Sequence, residues 1–176
     1  MTQPYPAYRE SGVEWLGEVP AHWTTIQTKR KMFSKSGGTL IKGQCSSEPT
    51  DGLYQGFGAS GPDVWLEDYD FDVPGIVLSA VGARCGKTFK ADGHWGTVAN
   101  THSLFPTETS DRDFLWYLTN IEDWWDKGGS AQPFILTNQT LERPWVFPPL
   151  PEQTAIAAFL DRETRLCCTN REGFTV

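Results

Sequence analysis

An arginine between two glycines is the residue best placed to do chemistry in this sequence. Arg84 lies between Gly82 and Gly86, and Lys87 and Lys90 follow closely. Small neighbours let a long side chain project from a tight turn. A guanidinium can donate two hydrogen bonds to a guanine edge, and lysines suit phosphate. The pattern therefore favours contact with nucleic acid, with solvated surface residues as the alternative.

Several polar residues elsewhere could take part in the same contact. Ser130 and Gln132 follow a glycine pair, in a loop whose backbone amides could approach a phosphate or a base edge. An ordinary end to a preceding helix is the alternative for this loop. Gln55 lies in a glycine-rich stretch and could read a base. Lys29 and Arg30 are adjacent, so on a strand they would point to opposite faces.

Patterns typical of catalysis or metal binding are missing. The four cysteines form no C-x-x-C pair, and the three histidines do not complete a zinc site, so we expect free thiols and no metal. A G-x-S-x-G motif is absent. The Gly-Lys-Thr at 86–88 follows a glycine by three residues where a phosphate-binding loop needs four. We therefore expect a protein that is not an enzyme.

Composition places the chain among globular proteins. It has 176 residues, 39% of them apolar, and a net charge of −7, which argues against indiscriminate nucleic-acid binding. Basic residues nevertheless gather at 29–42 and 84–90, stretches without acidic residues. A basic face on an acidic body is one interpretation, and chance clustering is the other. No membrane span or signal peptide is predicted, so we expect a cytoplasmic location.

The elements that would position these residues are mixed strands and helices. The apolar run 75–81 predicts a buried strand, which the turn at 82–86 joins to a returning strand at 87–90. Periodic apolar residues predict a helix over 110–127, followed by the glycine loop. Without regular β-α-β alternation, the fold class is α/β of the α+β type, a mixed, twisted sheet with a few helices.

A proline-rich string separates this domain, residues 1–147, from a C-terminal helix. The sequence Pro-Pro-Leu-Pro-Glu-Gln occupies 148–153, and proline at the first helical turn followed by an acidic residue is a helix start. Ile156, Phe159 and Leu160 then lie at helical spacing. We assign 148–165 to the junction and helix, and 166–176 to a polar, disordered tail.

The string Pro-Pro-Leu-Pro-Glu-Gln-x-Ala-Ile-Ala-x-Phe-Leu-Asp resembles the start of the spacer helix in specificity subunits of type I restriction–modification systems. The opening 8–23, the hairpin at 75–87 and the helix and loop at 114–133 resemble target-recognition domains of the same family, in the same order. The resemblance implies sequence-specific recognition of one half of a bipartite double-stranded DNA target.

The resemblance also implies partners. Methyltransferase subunits would carry S-adenosylmethionine, a restriction subunit would use ATP, and this chain would need no cofactor. Ile156, Phe159 and Leu160 would face a partner, or a second copy in a homodimer. The sequence holds one recognition domain, so we expect a subunit truncated after the start of the spacer helix. The alternative function is a module that docks a methyltransferase or another specificity chain and binds DNA weakly.

Overall fold

The computed structural model describes residues 5–13, 16–121 and 123–169, with side chains as far as residue 165. The strands in this part of the chain are β1 (Tyr8–Glu10), β2 (Glu18–Pro20), β3 (Thr24–Gln27), β4 (Met32–Ser36), β5 (Tyr54–Gly58), β6 (Gly61–Leu66), β7 (Gly75–Ser79), β8 (Thr88–Ala91), β9 (Trp95–Thr97), β10 (Thr101–Pro106), β11 (Lys127–Gly128), β12 (Phe134–Ile135) and β13 (Pro144–Phe147). The α-helices are α1 (Arg112–Thr119), α2 (Thr137–Glu142) and α3 (Leu150–Thr169), and 3-10 turns lie at Thr28–Arg30 and Lys42–Gln44.

A four-stranded antiparallel sheet, in the order β4-β10-β7-β8, forms the centre of the fold. Every residue of β7 is buried, which confirms the prediction of a buried strand, and β8 returns beside it as the hairpin pattern predicted. β7 is buried because both faces of the sheet are covered. Ile76 and Leu78 face the helices, whereas Val77 faces a cluster of aromatic rings.

The α/β class with mixed strands and helices is confirmed, although the strands are divided among several sheets. The described part has a three-stranded sheet, β6-β5-β9, and three two-stranded pairs besides the central sheet. Trp95, which is fully buried, packs against Phe57, Phe71 and Phe105 between the two larger sheets. Large aromatic side chains thus fill the space between the two larger sheets.

The helix predicted over 110–127 is shorter in the structure. It begins after Asp111, whose carboxylate accepts a hydrogen bond from the Phe114 amide at 2.9 Å, and it ends at Thr119. The chain then turns so that Trp125 is buried and its indole donates to the Thr119 carbonyl at 2.8 Å. The periodic apolar residues therefore belong partly to a helix and partly to a turn that buries Trp125. Ile121, which lies between the two, is exposed.

Helix α3 begins at Leu150, directly after the proline pair, and reaches Thr169. It therefore extends past 165, where the sequence predicted its end. The rest of the predicted tail, 170–176, lies outside the described residues. None of the described helices is long and apolar enough to cross a membrane.

The Glu-Gln pair of the proline string attaches α3 to the domain. The Glu152 carboxylate accepts hydrogen bonds from Tyr5 at 3.0 Å and from the Trp23 indole at 2.9 Å, and it pairs with His22 at 2.5 Å. Gln153 is fully buried and accepts from the Asp111 amide at 2.9 Å. Through Tyr5, His22 and Trp23, the N-terminal segment therefore packs against the start of α3.

Farther along α3, Asp161 connects the helix to α1 and to the central sheet. Its carboxylate accepts from the Tyr117 hydroxyl at 2.7 Å and pairs with Lys90 at 3.3 Å. Lys90 also pairs with Asp113 at 3.2 Å and lies 4.6 Å from the centre of the Trp116 ring. A single lysine of β8 therefore holds both helices against the sheet.

Replacing Asp161 with asparagine is expected to change how stability depends on pH. The hydrogen bond from Tyr117, with the charge of Lys90, lowers the pKa of Asp161 against the effect of partial burial. A lowered pKa stabilises the fold above about pH 4, the unfolded value, and this contribution is lost as the pH falls through the folded-state pKa. Urea unfolding should show a wild-type advantage near pH 7 that shrinks below about pH 4.

Asp51→Asn is the matched control, because Asp51 is exposed and makes no ion pair with the described residues. An Asp161→Asn difference that is independent of pH between about 2 and 7 would contradict the assigned role of the charge.

Candidate nucleic-acid interface

Two loops that are distant in the sequence lie side by side at one end of the central sheet. One is the turn at 80–87 between β7 and β8, and the other is the loop at 129–133 between β11 and β12. The Gly82 amide donates to the Pro133 carbonyl at 2.9 Å, and the Ile135 amide donates to the Ala80 carbonyl at 2.8 Å. An isolated bridge pairs Val81 with Phe134. The structure therefore brings together the two loops that sequence analysis singled out separately.

The turn presents Arg84 to solvent. Gly82 and Gly86 have φ values of 95° and 96°, a region that favours glycine. The Cys85 amide donates to the Gly82 carbonyl at 3.0 Å, and the Gly86 amide closes the turn on Ser79 at 2.9 Å. Arg84 is exposed, and its side chain makes no ion pair or hydrogen bond with the described residues. The backbone is therefore fixed while the guanidinium is available.

The neighbouring loop is shaped by its glycines. Gly129 has a φ of 76°, and a Cβ at that position would lie 2.4 Å from the Gln132 carbonyl. The Phe134 ring packs against both Gly128 and Gly129, yet 41% of this residue is exposed. Ser130 and Gln132 are exposed at the tip, and their side chains make no hydrogen bond with the described residues. Both side chains are free to contact a ligand.

A shallow pocket lies between the turn at 80–87 and the segment that leads from α1 to β11. It is lined by two groups of described residues: the turn residues Ala83, Arg84, Cys85, Gly86 and Lys87, and the neighbouring Asn120 and Lys127. Lys127 was missed by sequence reasoning, which treated it only as the end of a helix. The one signal in the sequence that could have identified Lys127 is its position directly before the Gly-Gly pair that begins the loop.

Other predicted contact residues lie elsewhere. Lys90 is held by two carboxylates, and the Gln55 amide is turned toward the Val64 carbonyl, 3.3 Å away, within its own sheet. Lys29 pairs with Glu142 at 2.7 Å, and Arg30 is exposed in the same 3-10 turn. These four residues do not join the surface formed by the two loops.

The course of the strands separates Lys29 and Arg30 from Arg84. β4 and β7 each pair antiparallel with β10, so they run in the same direction. The 3-10 turn with Lys29 precedes β4, whereas the turn with Arg84 follows β7. The two basic groups therefore lie at opposite ends of the central sheet.

The histidines do not form a catalytic group with Asp92. His102 lies 2.8 Å from the Thr137 hydroxyl, and burial lowers its pKa, which favours the neutral ring. His94 contacts the Tyr69 ring with a centroid distance of 4.3 Å, while Asp92 pairs with Arg112. Among the described residues, no group of three or more histidines, cysteines and carboxylates could hold a metal ion.

The predicted partner-facing residues of α3 are accessible to different degrees. Phe159 is 51% exposed, and its ring centre lies 5.3 Å from the Arg162 guanidinium. Ile156 and Leu160 are half-buried. Ile156 and Leu160 lie beside the buried Gln153 and Ala157 on the same face of the helix. Phe159 points away from that face and is open to contact.

Comparison with known proteins places these features in a family. Residues 64–172, more than half of the chain, match the family described as "Type I restriction modification DNA specificity domain". That description is of specificity and not of catalysis. None of the curated protein sequences compared with the chain matches it.

Solved structures of type I restriction–modification proteins have the same fold. The S subunit from M. genitalium is 21% identical, with a TM-score of 0.61 over 80% of this chain. The HsdS subunit from Thermoanaerobacter tengcongensis is 17% identical, with a TM-score of 0.65 over 96%. A chain from a study of assembly and conformational transition in the type I R-M system is 18% identical, with a TM-score of 0.69 over 94%. This chain spans 38 to 43% of those proteins.

Proposed function

Because the chain belongs to the family of type I restriction–modification DNA specificity domains, we propose that it recognises the sequence of double-stranded DNA, reading one half of a bipartite target. The observation that carries this proposal is the pairing of the turn at 80–87 with the loop at 129–133. Together they present unpaired cations and free polar side chains on one surface. A chain with a net charge of −7 would otherwise be repelled by DNA.

Each side chain on this surface suits a different part of DNA. Arg84 at the tip can donate two hydrogen bonds to a guanine edge, and Gln132 can pair with an adenine edge. Ser130 can contact either a base or the backbone. Lys87 and Lys127 supply positive charge for phosphate groups. Arg84, Gln132 and Ser130 would determine specificity, whereas the lysines would mainly determine affinity.

One exposed acidic segment lies away from the two loops. Glu67, Asp68 and Asp72 are exposed in the segment between β6 and β7. That segment leads into the start of β7, while the turn with Arg84 follows its end. The acidic segment and the two loops therefore lie toward opposite ends of β7. Repulsion between phosphates and the acidic segment would favour approach of DNA to the loops.

We further propose that α3 contacts the other subunits of a type I complex. The exposed Phe159 and its half-buried neighbours Ile156 and Leu160 form the surface for a methyltransferase subunit or a second specificity chain. Methylation with S-adenosylmethionine and ATP-dependent cleavage would belong to the partner subunits. The exposed Phe159 also carries the second candidate function, a docking module with little DNA binding of its own.

Selection of bound duplexes from a randomised library tests the proposal directly. The chain is expected to enrich a short, defined sequence, because side chains that contact base edges discriminate by about 1–3 kcal/mol per bidentate pair. The measurement is sequencing of the bound fraction at low and at moderate salt. Binding without enrichment, or no binding at low salt, would contradict sequence recognition and would favour the docking module.

A further inference from the structure

The pocket beside the turn at 80–87 has the composition of an anion site. We propose that it binds a single phosphate group through Lys87, Lys127 and Asn120, with Arg84 at its edge left to contact a base, an inference that rests on the proposed function where that phosphate belongs to DNA. Asn120 and Lys127 come from the segment after α1, whereas Arg84 and Lys87 come from the turn after β7. The site therefore exists only where the two segments meet.

The charges of the pocket are unbalanced. Arg84, Lys87 and Lys127 make no ion pair with the described residues, and none of the described lining residues is acidic. Three cations around one small pocket repel one another, and an anion between them removes that repulsion. A phosphate carries the charge and the several acceptor oxygens that such a group of donors needs.

The other described lysines differ from Lys87 and Lys127 in this respect. Each of them contacts a carboxylate, a carbonyl or an aromatic ring of the protein: Lys29, Lys31, Lys35, Lys42 and Lys90. In a protein with excess negative charge, two lysines without an internal partner at the same pocket are unusual. The unpaired positive charge is therefore concentrated at this pocket.

The geometry assigns ligand binding to side chains. The amides of Gly86 and Lys87 already donate to Ser79 and Arg84, at 2.9 and 3.1 Å. Lys127 lies close to the turn, since a Cβ on Gly86 would be 3.7 Å from its Cε. The Asn120 side-chain oxygen accepts from the Thr88 amide at 3.5 Å, so its NH₂ group remains free to donate. Asn120 and the two lysines are therefore the donors that a phosphate would meet.

Neutral replacement of single phosphates tests the site on DNA. In the duplex obtained by library selection, each phosphate near the enriched sequence is replaced in turn by a methylphosphonate. The wild-type chain is expected to lose about tenfold in affinity at one position, the size of a lost charged hydrogen bond. Lys127→Gln should bind more weakly overall, lose sensitivity at that same position, and show a salt slope smaller by about 0.9.

Lys29→Gln is the control, because it removes the same charge at the opposite end of the sheet. It should keep the wild-type pattern of methylphosphonate sensitivity. If Lys127→Gln and Lys29→Gln have the same pattern as the wild type, the pocket does not bind a phosphate of DNA, although sequence recognition stands. If the wild type, Lys127→Gln and Lys29→Gln all fail to bind any duplex, the proposed function is wrong. Phosphate binding by the pocket is then tested by a second measurement.

Titration with inorganic phosphate is that second measurement, and it needs no DNA. Amide resonances of Gly86, Lys87 and Lys127 are expected to shift with phosphate and not with chloride at equal ionic strength, and the shifts should vanish in Lys127→Gln. Shifts without DNA binding would assign the pocket to free phosphate. Absence of both the shifts and a Lys127-dependent methylphosphonate position would overturn the inference.

Discussion

Replacing Gln153 with alanine is expected to lower the free energy of unfolding by about 3 kcal/mol. The Gln153 side chain is fully buried, accepts from the Asp111 amide at 2.9 Å and donates to the Pro148 carbonyl at 2.9 Å. Alanine would leave both backbone groups without a partner, at about 1–3 kcal/mol for each. Thermal unfolding should move down by about 6–12 °C for a chain of this size.

Two further variants separate the causes. Gln153→Met keeps most of the side-chain volume but cannot replace the donor and the acceptor, so most of the loss should remain. Gln139→Ala, on the exposed side of α2, should change stability by less than about 0.5 kcal/mol. A Gln153→Ala chain that unfolds at the wild-type temperature would show that Gln153 does not attach α3 to the domain.

Arg84→Ala is expected to weaken binding to the selected duplex by about 10- to 100-fold, the size of one lost bidentate pair with a base. Arg84 is exposed and has no partner among the described residues, so the free energy of unfolding should stay unchanged. Enrichment at one base position should also be relaxed. The measurements are titration of the selected duplex and repeated library selection with the variant.

Arg30→Ala is the matched control for this variant. It removes the same charge from an exposed residue, but it lies before β4 at the opposite end of the sheet. We expect less than about a twofold change for Arg30→Ala, since distant exposed charges are largely screened by salt. Equal losses for Arg84→Ala and Arg30→Ala would show that Arg84 contributes only general positive charge.

The sequence alone predicted the elements that are determined by short, continuous stretches of residues. The apolar run of β7 with a glycine turn after it predicted a buried strand and a hairpin, and both are confirmed. The proline string predicted the start of α3 within two residues, because prolines restrict the backbone independently of context. Family membership followed from such strings, and the family match confirms it.

Features that depend on distant contacts were not predicted. The helix over 110–127 was overestimated because the burial of Trp125 repeats the helical spacing without a helix. Lys90 carries the same charge as Lys87, and only the positions of Asp113 and Asp161 distinguish their environments. The pocket with Lys127 forms where the turn after β7 meets the segment after α1, and no local pattern of residues predicts that tertiary contact.

Because hydrogen bonds hold its base together, the β7–β8 turn could be replaced by a turn of different sequence. Backbone hydrogen bonds between Ser79 and residues 86 and 87 fasten its base, and the anchoring of α3 depends on Lys90, beyond the turn. Turns of other composition could therefore be grafted between Ser79 and Thr88 without disturbing the attachment of α3. New target sequences could arise in this way by replacing one short segment while the scaffold persists.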